Sequence, residues 1–177
     1  MAERELLPGE YAILGFLADE PLHGYDIARR FKQEGLYEVC PVEQSLLYQY
    51  LRNLENRGLV QGSEERVGRR PPRRLFELSE RGQETFKQWL HRPVARMRDV
   101  RIAFLLKLFF LRKRDVAGAT ALLERQVVEC EAYVARWKAA DRSDEFRRLV
   151  ADAKLSAAQA TRDWLQRYAI ELQEART

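Results

Sequence analysis

Three stretches decide how this chain folds: His23-Gly-Tyr-Asp-Ile-Ala-Arg-Arg-Phe31, Glu43-Gln-Ser-Leu-Leu-Tyr-Gln-Tyr-Leu-Arg-Asn-Leu-Glu-Asn-Arg-Gly58 and Arg66-Val-Gly-Arg-Arg-Pro-Pro-Arg-Arg74. The middle one carries the strongest pattern. Advancing each residue by about 100° around a helical wheel puts Leu46, Leu47, Tyr50, Leu51 and Leu54 on one half of a helix. Ser45, Tyr48, Gln49, Arg52 and Asn56 fall on the other half. One face can pack and the other can hydrogen-bond. The helix is expected to begin at Pro41 and to end at Gly58, a residue that readily takes positive φ.

Working outward, Pro8 and Gly9 precede Tyr11, Leu14, Leu17 and Ala18 at helical spacing, so a first helix is expected from Pro8 to Asp19, closed by Glu20-Pro21. A second helix runs from His23 or Gly24 to Lys32, directs Tyr25, Ile27, Ala28 and Phe31 largely toward a core, and stops before Gly35. Downstream, Leu59-Val-Gln-Gly62 and Leu75-Phe-Glu-Leu78 read as strands joined by a loop with Gly68, Pro71 and Pro72, a hairpin whose tip is rich in arginine. Ser79 suits the N-cap of another helix reaching Leu90, with Phe86, Trp89 and Leu90 turned inward. Three helices, a hairpin and a helix, in that order, make a winged helix-turn-helix.

After a linker at His91-Arg-Pro93 the pattern changes to long helices, expected at Arg98–Arg112, Asp115–Ala140 and Asp144–Gln173. In the second, Val116, Ala119, Leu123, Val127, Cys130, Val134 and Trp137 recur at intervals of three and four; in the third, Phe146, Val150, Ala153, Ala157, Ala160, Trp164 and Tyr168 do nearly the same. Such seams require partner helices. The short polar connection Asp141–Glu145, with Ser143 as a cap, folds the last two helices into an antiparallel hairpin. The expected architecture is therefore mainly α: a winged helix-turn-helix over residues 1–92 and a long-helix antiparallel dimerisation domain over residues 93–177.

Composition narrows the function. The chain has 177 residues, 46% of them hydrophobic, enough for a core, and 31 basic against 27 acidic residues leave a net charge of only +4. Residues 1–95 hold 14 basic and 15 acidic residues, a net of −1, yet Arg66, Arg69, Arg70, Arg73 and Arg74 crowd into nine positions with no acid among them. A patch so concentrated on a near-neutral domain points to an anionic partner met by one element. Two separated cysteines, Cys40 and Cys130, and two histidines, His23 and His91, are too few and too far apart for a metal site. The charged N-terminus is unlike a signal peptide. Ile102–Leu111, the longest greasy stretch, is interrupted by Lys107 and falls short of the roughly 20 apolar residues of a membrane span. A cytoplasmic, non-enzymatic binding protein without a cofactor is expected, since no nucleophile-base pair, phosphate loop or metal cluster is visible.

A helix-turn-helix reads duplex DNA by presenting base-reading side chains framed by phosphate-holding groups. Gln49 can read adenine and Arg52 can fork onto guanine or a phosphate, while Ser45 and Tyr48 offer hydroxyls to backbone oxygens and Gln44 lies near the helix start. Arg69, Arg70, Arg73 and Arg74 flank two prolines that stiffen the loop, which suits phosphate or minor-groove contact. Glu43 favours the helix start but repels phosphate and is left out of the contact set. Each has a plainer structural use: Tyr48 as a half-buried helix residue, Arg52 as a weak partner of Glu55, His23 as a capping or packing residue, and Trp89, Trp137 and Trp164 as core or interface anchors.

Leu17-Ala-Asp-Glu-Pro-Leu-His23-Gly24-Tyr25-Asp-Ile27 resembles the first helix-turn unit of the PadR family of transcriptional regulators. Ser45-Leu-Leu-Tyr48 through Leu54-Glu55-Asn-Arg-Gly58-Leu59-Val60 resembles its recognition helix with one extra residue before the tyrosine, and Gly68 through Gly82 resembles its wing and following helix. In the second half Arg98-Asp99 and Phe104–Phe110 resemble the longer members, whose long helices form the dimer. The resemblance implies a homodimeric repressor on an inverted-repeat operator, and for Tyr48 a phosphate contact, with Tyr50 a competing position because of the extra residue. It also implies, for some members, release from DNA by a small aromatic ligand such as a phenolic acid. The aromatic-rich Trp89, Phe104, Phe109 and Phe110 are compatible with such a pocket, but an ordinary core is the expected use of a greasy helix. A protein-interaction module built on the same winged domain is the competing function.

Overall fold

Phe16, Ile27, Phe31, Leu47, Leu51 and Leu54, none more than 1% exposed, form the centre of the first half of the molecule. The computed structural model describes residues 4–66 and 73–174, and its contacts divide the chain after Leu90 into two compact units. Among the described residues, no helix is long and apolar enough to cross a membrane.

The first unit runs α1 (Pro8–Leu17), β1 (Leu22–His23), α2 (Gly24–Gln33), α3 (Leu36–Val39), α4 (Gln44–Asn56), β2 (Val60–Glu65), β3 (Arg73–Leu78) and α5 (Glu80–Leu90). This is the winged helix-turn-helix order, with three features that the periodicity did not give. Gly35, at φ 75°, ends α2 in a left-handed turn that allows the one-turn α3 to bury Leu36. The recognition-type helix starts at Gln44, not Pro41, because Glu43 is still extended at ψ 157° and the extended run lets Val42 reach the core. The hairpin gains a third strand: Leu22 and His23 pair with Phe76 and Leu75, giving an antiparallel sheet in the order β1-β3-β2. Its main pairing runs from Val60 opposite Leu78 to Glu65 opposite Arg73.

Two residues lock α5 to this sheet. Ser79 donates its backbone N–H to the Leu59 carbonyl (3.1 Å) and its hydroxyl to the Gly58 carbonyl (2.7 Å), while its Oγ accepts from the Gly82 N–H (3.0 Å) as an N-cap. A Cβ on Gly82 would lie 2.0 Å from the Leu59 carbonyl oxygen, so only glycine allows this approach. Gly58 takes φ 65°, the expected helix-ending conformation. Trp89 stacks on Tyr11 with ring centroids 4.3 Å apart, a core role.

The second unit runs α6 (Met97–Asp99), a π-helical segment (Val100–Phe104), α7 (Leu105–Arg114), α8 (Val116–Lys138) and α9 (Glu145–Glu174). The expected single helix over Arg98–Arg112 is thus interrupted by five residues wound in wider, π-helical turns. Asp115 caps α8 by accepting from the Gly118 N–H at 2.8 Å. Asp144 rather than Ser143 caps α9, accepting from the Arg147 N–H at 2.8 Å, because Ser143 is taken up by Asp141. The segment read as a linker is fastened to this unit. Buried Gln126 donates to the Val94 carbonyl and accepts from its N–H at 2.9 and 2.8 Å, and buried Lys107 donates to the Arg92 carbonyl at 2.6 Å.

The α9 seam is shifted from its expected positions. Ala151, Ala158, Leu165 and Leu172, a strict seven-residue repeat, are the buried residues, while Phe146, Ala153, Ala157 and Ala160 are exposed and Val150, Trp164 and Tyr168 half-buried. Two apolar stripes run side by side on this helix, and packing against α8 selects the one richer in leucine. Phe104 meets Trp164 edge to face, and Phe109 meets Phe110 in the same way.

Candidate nucleic-acid interface

The amphipathic split of α4 places its polar face outward. Leu47, Leu51 and Leu54 are buried, and Gln44, Ser45, Tyr48, Gln49 and Arg52 are all exposed. Tyr48 and Arg52 line a hollow of about 760 Å³ whose other walls include Tyr25 and Arg29 from α2 and Arg73 and Arg74 from β3. Tyr25 was expected to face the core; it is 64% exposed, because it lies about 200° around α2 from Ile27. Its ring carries the Arg29 guanidinium 6.0 Å from the centroid. Tyr48 rests on Gly24, where a Cβ would come within 2.7 Å of the ring. The His-Gly-Tyr sequence therefore builds one wall of the hollow as well as the start of α2.

The strand arginines are not a bare positive patch. Across the hairpin Arg73 faces Glu65 and Arg74 faces Glu64. The Arg74 guanidinium pairs with Glu55 of α4 at 2.6 Å, crossing β2 at Gly62, where a Cβ would collide with both groups. Glu55 therefore serves Arg74 and not Arg52. His23 fixes the same strands, its Nδ1 lying 3.0 Å from the Arg74 carbonyl oxygen and its Nε2 3.1 Å from a Glu65 carboxylate oxygen. Arg29 pairs with Asp26 at 2.7 Å. Arg52 and Arg73 make no ion pair among the described residues and are the cations left to meet an outside anion. Arg69 and Arg70 lie outside the described residues.

Gln49 is at the edge of the polar face and lines a different hollow, of about 330 Å³, with Arg4, Tyr50 and Asn53 among its walls. Beneath it sits Glu10, fully buried, whose carboxylate accepts from Asn53, from the Leu7 N–H at 2.7 Å and from Arg4 at 3.1 Å. This carboxylate ties the start of α1 to α4. Tyr50 packs against Gly9 of α1, and burial raises its phenol pKa, so the two competing tyrosines have opposite surroundings. Glu43 is engaged by the Tyr37 hydroxyl, a bond that raises the Tyr37 pKa. The arrangement offers phenol and serine hydroxyls, carboxamides and the Arg52 and Arg73 guanidiniums on one convex helix and its adjoining strand. Such groups hydrogen-bond phosphates and base edges.

The model of the transcriptional regulator PadR-like family matches residues 13–88, and that of the virulence activator alpha C-terminal domain matches residues 100–173. The negative transcriptional regulator PadR of Bacillus subtilis is 28% identical over 82% of this chain and 76% of its own length. The probable transcriptional regulator Rv1176c of Mycobacterium tuberculosis is 27% identical over 94% of this chain and 98% of its own. Among solved structures, Bacillus subtilis PadR in complex with operator DNA is similar at a TM-score of 0.48 and 25% identity, covering 92% of this chain and 98% of that one. The same protein in complex with p-coumaric acid is similar at a TM-score of 0.44 and 23% identity, covering 94% and 99%. With a PadR-like domain as its winged unit and a second matched domain over its long helices, the chain belongs to the PadR-like family of transcriptional regulators, in its longer form.

Proposed function

We propose that this regulator is a homodimeric repressor that binds double-stranded DNA at an inverted-repeat operator, with residues 1–92 as the DNA-binding domain and residues 93–177 as the dimerisation domain. The observation that carries the reading is the exposed polar face of α4 beside the β3 arginines. In the major groove, Gln49 and Arg52 would read base edges from the face that also carries Gln44, while Ser45 and Tyr48 would hold phosphates. Arg69, Arg70, Arg73 and Arg74 would follow the backbone from the wing, Arg74 while paired with Glu55. Similarity to a relative named a negative transcriptional regulator supports repression. Exposed Phe146 and Leu149, at the start of α9, support a second copy as the cover of that end of the helix.

The test is selection of binding sites from a random duplex pool with the purified protein at physiological salt. An enriched inverted repeat, with half-sites about one DNA turn or a multiple apart, is the expected result. Recovery of no motif, with binding lost at modest salt, favours the protein-interaction module instead. The selected operator then serves to test the small aromatic effector that the family resemblance implies. A panel of phenolic acids is titrated against DNA affinity, and no response to any of them removes that class.

A further inference from the structure

The second unit contains a cationic hollow that the DNA-binding reading does not use. Arg96, Arg98, Arg101, Arg136 and Lys154 line a cavity of about 450 Å³ with no carboxylate in its wall. Of the five, Arg98 reaches Asp99 at 3.7 Å, and the other four make no ion pair among the described residues. Four cations with no carboxylate partner among the described residues, Arg136 resting over the Tyr133 ring at 5.9 Å, repel each other across one space and are stabilised when an anion enters. A single negative charge would leave most of this charge unmatched, so the complementary head carries at least two.

This hollow continues into an apolar one. Arg101, Ala157 and Thr161 belong to both, and beyond them Val100, Leu105, Ala160 and Trp164 line a further 360 Å³. The combined lining has a charged end, Tyr133 and Thr161 along it, and Trp164 in the apolar part. Val100 and Arg101, which face the two hollows, sit on the π-helical segment, a geometry that recurs at functional sites. The sizes fall in the range of small-molecule sites.

We infer that the helical unit binds an amphiphilic organophosphate, its phosphate held by Arg96, Arg101, Arg136 and Lys154 and its ring or short chain lying between Leu105 and Trp164. A monocarboxylate in place of the phosphate binds more weakly, and the site lies wholly within residues 95–164. A soluble metabolite and a phospholipid headgroup share this chemistry.

The experiment is isothermal titration calorimetry of the full-length protein with 1-naphthyl phosphate, a dianion near pH 8, against 1-naphthoate, 1-naphthol and inorganic phosphate. Naphthyl phosphate is expected to bind most tightly, and Arg101→Gln and Arg136→Gln each to weaken it about tenfold, the loss of one charge-assisted hydrogen bond. Both side chains are exposed, so unchanged thermal unfolding is the control on folding. Trp164→Leu is expected to weaken naphthyl phosphate while leaving inorganic phosphate unaffected. Flotation with phosphatidic acid vesicles identifies the source. Vesicle binding that the arginine variants abolish assigns a lipid, and calorimetric binding without flotation assigns a soluble compound; either supports the site. The inference is overturned if naphthyl phosphate binds no better than naphthol. It is equally overturned if the arginine variants bind naphthyl phosphate normally and lose affinity only for DNA.

Discussion

Among the described residues, the winged unit leaves few large apolar side chains exposed, and the helical unit leaves more. In the first, the large apolar side chains left exposed among the described residues are Leu7, Tyr25 and Tyr48, two of them phenols on the polar surface of α2 and α4. In the second, Ile102, Val116, Val128, Phe146, Leu149 and Ile170 remain exposed, and the Trp137 indole nitrogen is buried with no acceptor among the described residues. The difference follows from architecture. Short helices crossing over a small sheet can each bury one stripe, whereas a thirty-residue helix with two apolar stripes can offer only one of them to α8. The surfaces differ accordingly: the first unit displays polar side chains on α2 and α4, and the second displays apolar ones on α8 and α9.

The strongest test of packing in the winged unit is Gly82→Val. The added atoms meet the Leu59 carbonyl, which the Ser79 hydrogen bonds hold in place, so overpacking of about 3 kcal/mol is expected. Hydrogen exchange followed peptide by peptide separates the two units, and loss of protection should be confined to residues before 91. Unchanged protection of α5 would show that the helix can move away from the sheet. The complementary test separates the stripes of α9. Leu165→Ala removes a fully buried side chain and should cost about 3 kcal/mol of the helical unit's stability. Phe146→Ser with Leu149→Ser should leave that stability within about 0.5 kcal/mol and raise the dimer dissociation constant at least about tenfold, measured by analytical ultracentrifugation. Self-association that ignores these two residues would remove the start of α9 from the interface.

The same contrast explains what the sequence disclosed. The polar and apolar halves of α4 and the Ser79 cap were legible because each depends on residues within one or two helical turns. Tyr25 was misplaced because its aromatic character outweighed its angle from Ile27. Glu10 could not be read as buried, since its partners Arg4 and Asn53 stand 6 and 43 residues away. The arginine run looked uncompensated along the chain, yet Glu64 and Glu65 lie across the hairpin and Glu55 comes from 19 residues before Arg74. On α9 the pattern contained two stripes, and only the packing of α8 decides between them.

For the surface itself, the ion pairs separate the arginines. Arg52→Ala should cost about 1–3 kcal/mol of operator affinity, because its guanidinium makes no ion pair among the described residues. Arg74→Ala should cost less, since the wild-type side chain is already neutralised by Glu55, and Arg74→Ala with Glu55→Gln should recover part of that loss. If four to six phosphates are neutralised per dimer, the log-log salt slope is about −4 to −5. Fluorescence anisotropy across a salt series measures all three, and a slope near zero would falsify the wing's part in binding.

The smallest expected effect probes how the winged unit aims its polar face. A Cβ on Gly24 comes within 2.7 Å of the Tyr48 ring, the far end of a side chain that can rotate, so Gly24→Ala should preserve the fold and displace the phenol. Holding Tyr48 off its rotamer costs about 0.5–1.5 kcal/mol, and a loss of operator affinity no larger than this is expected. The double-mutant cycle with Tyr48→Ala decides the route. If Gly24 acts by seating Tyr48, the Gly24→Ala loss disappears once the ring is gone. A loss that persists in the Tyr48→Ala background would mean that Gly24 serves the backbone of α2 directly, and that the aim of Tyr48 is set by α4 alone.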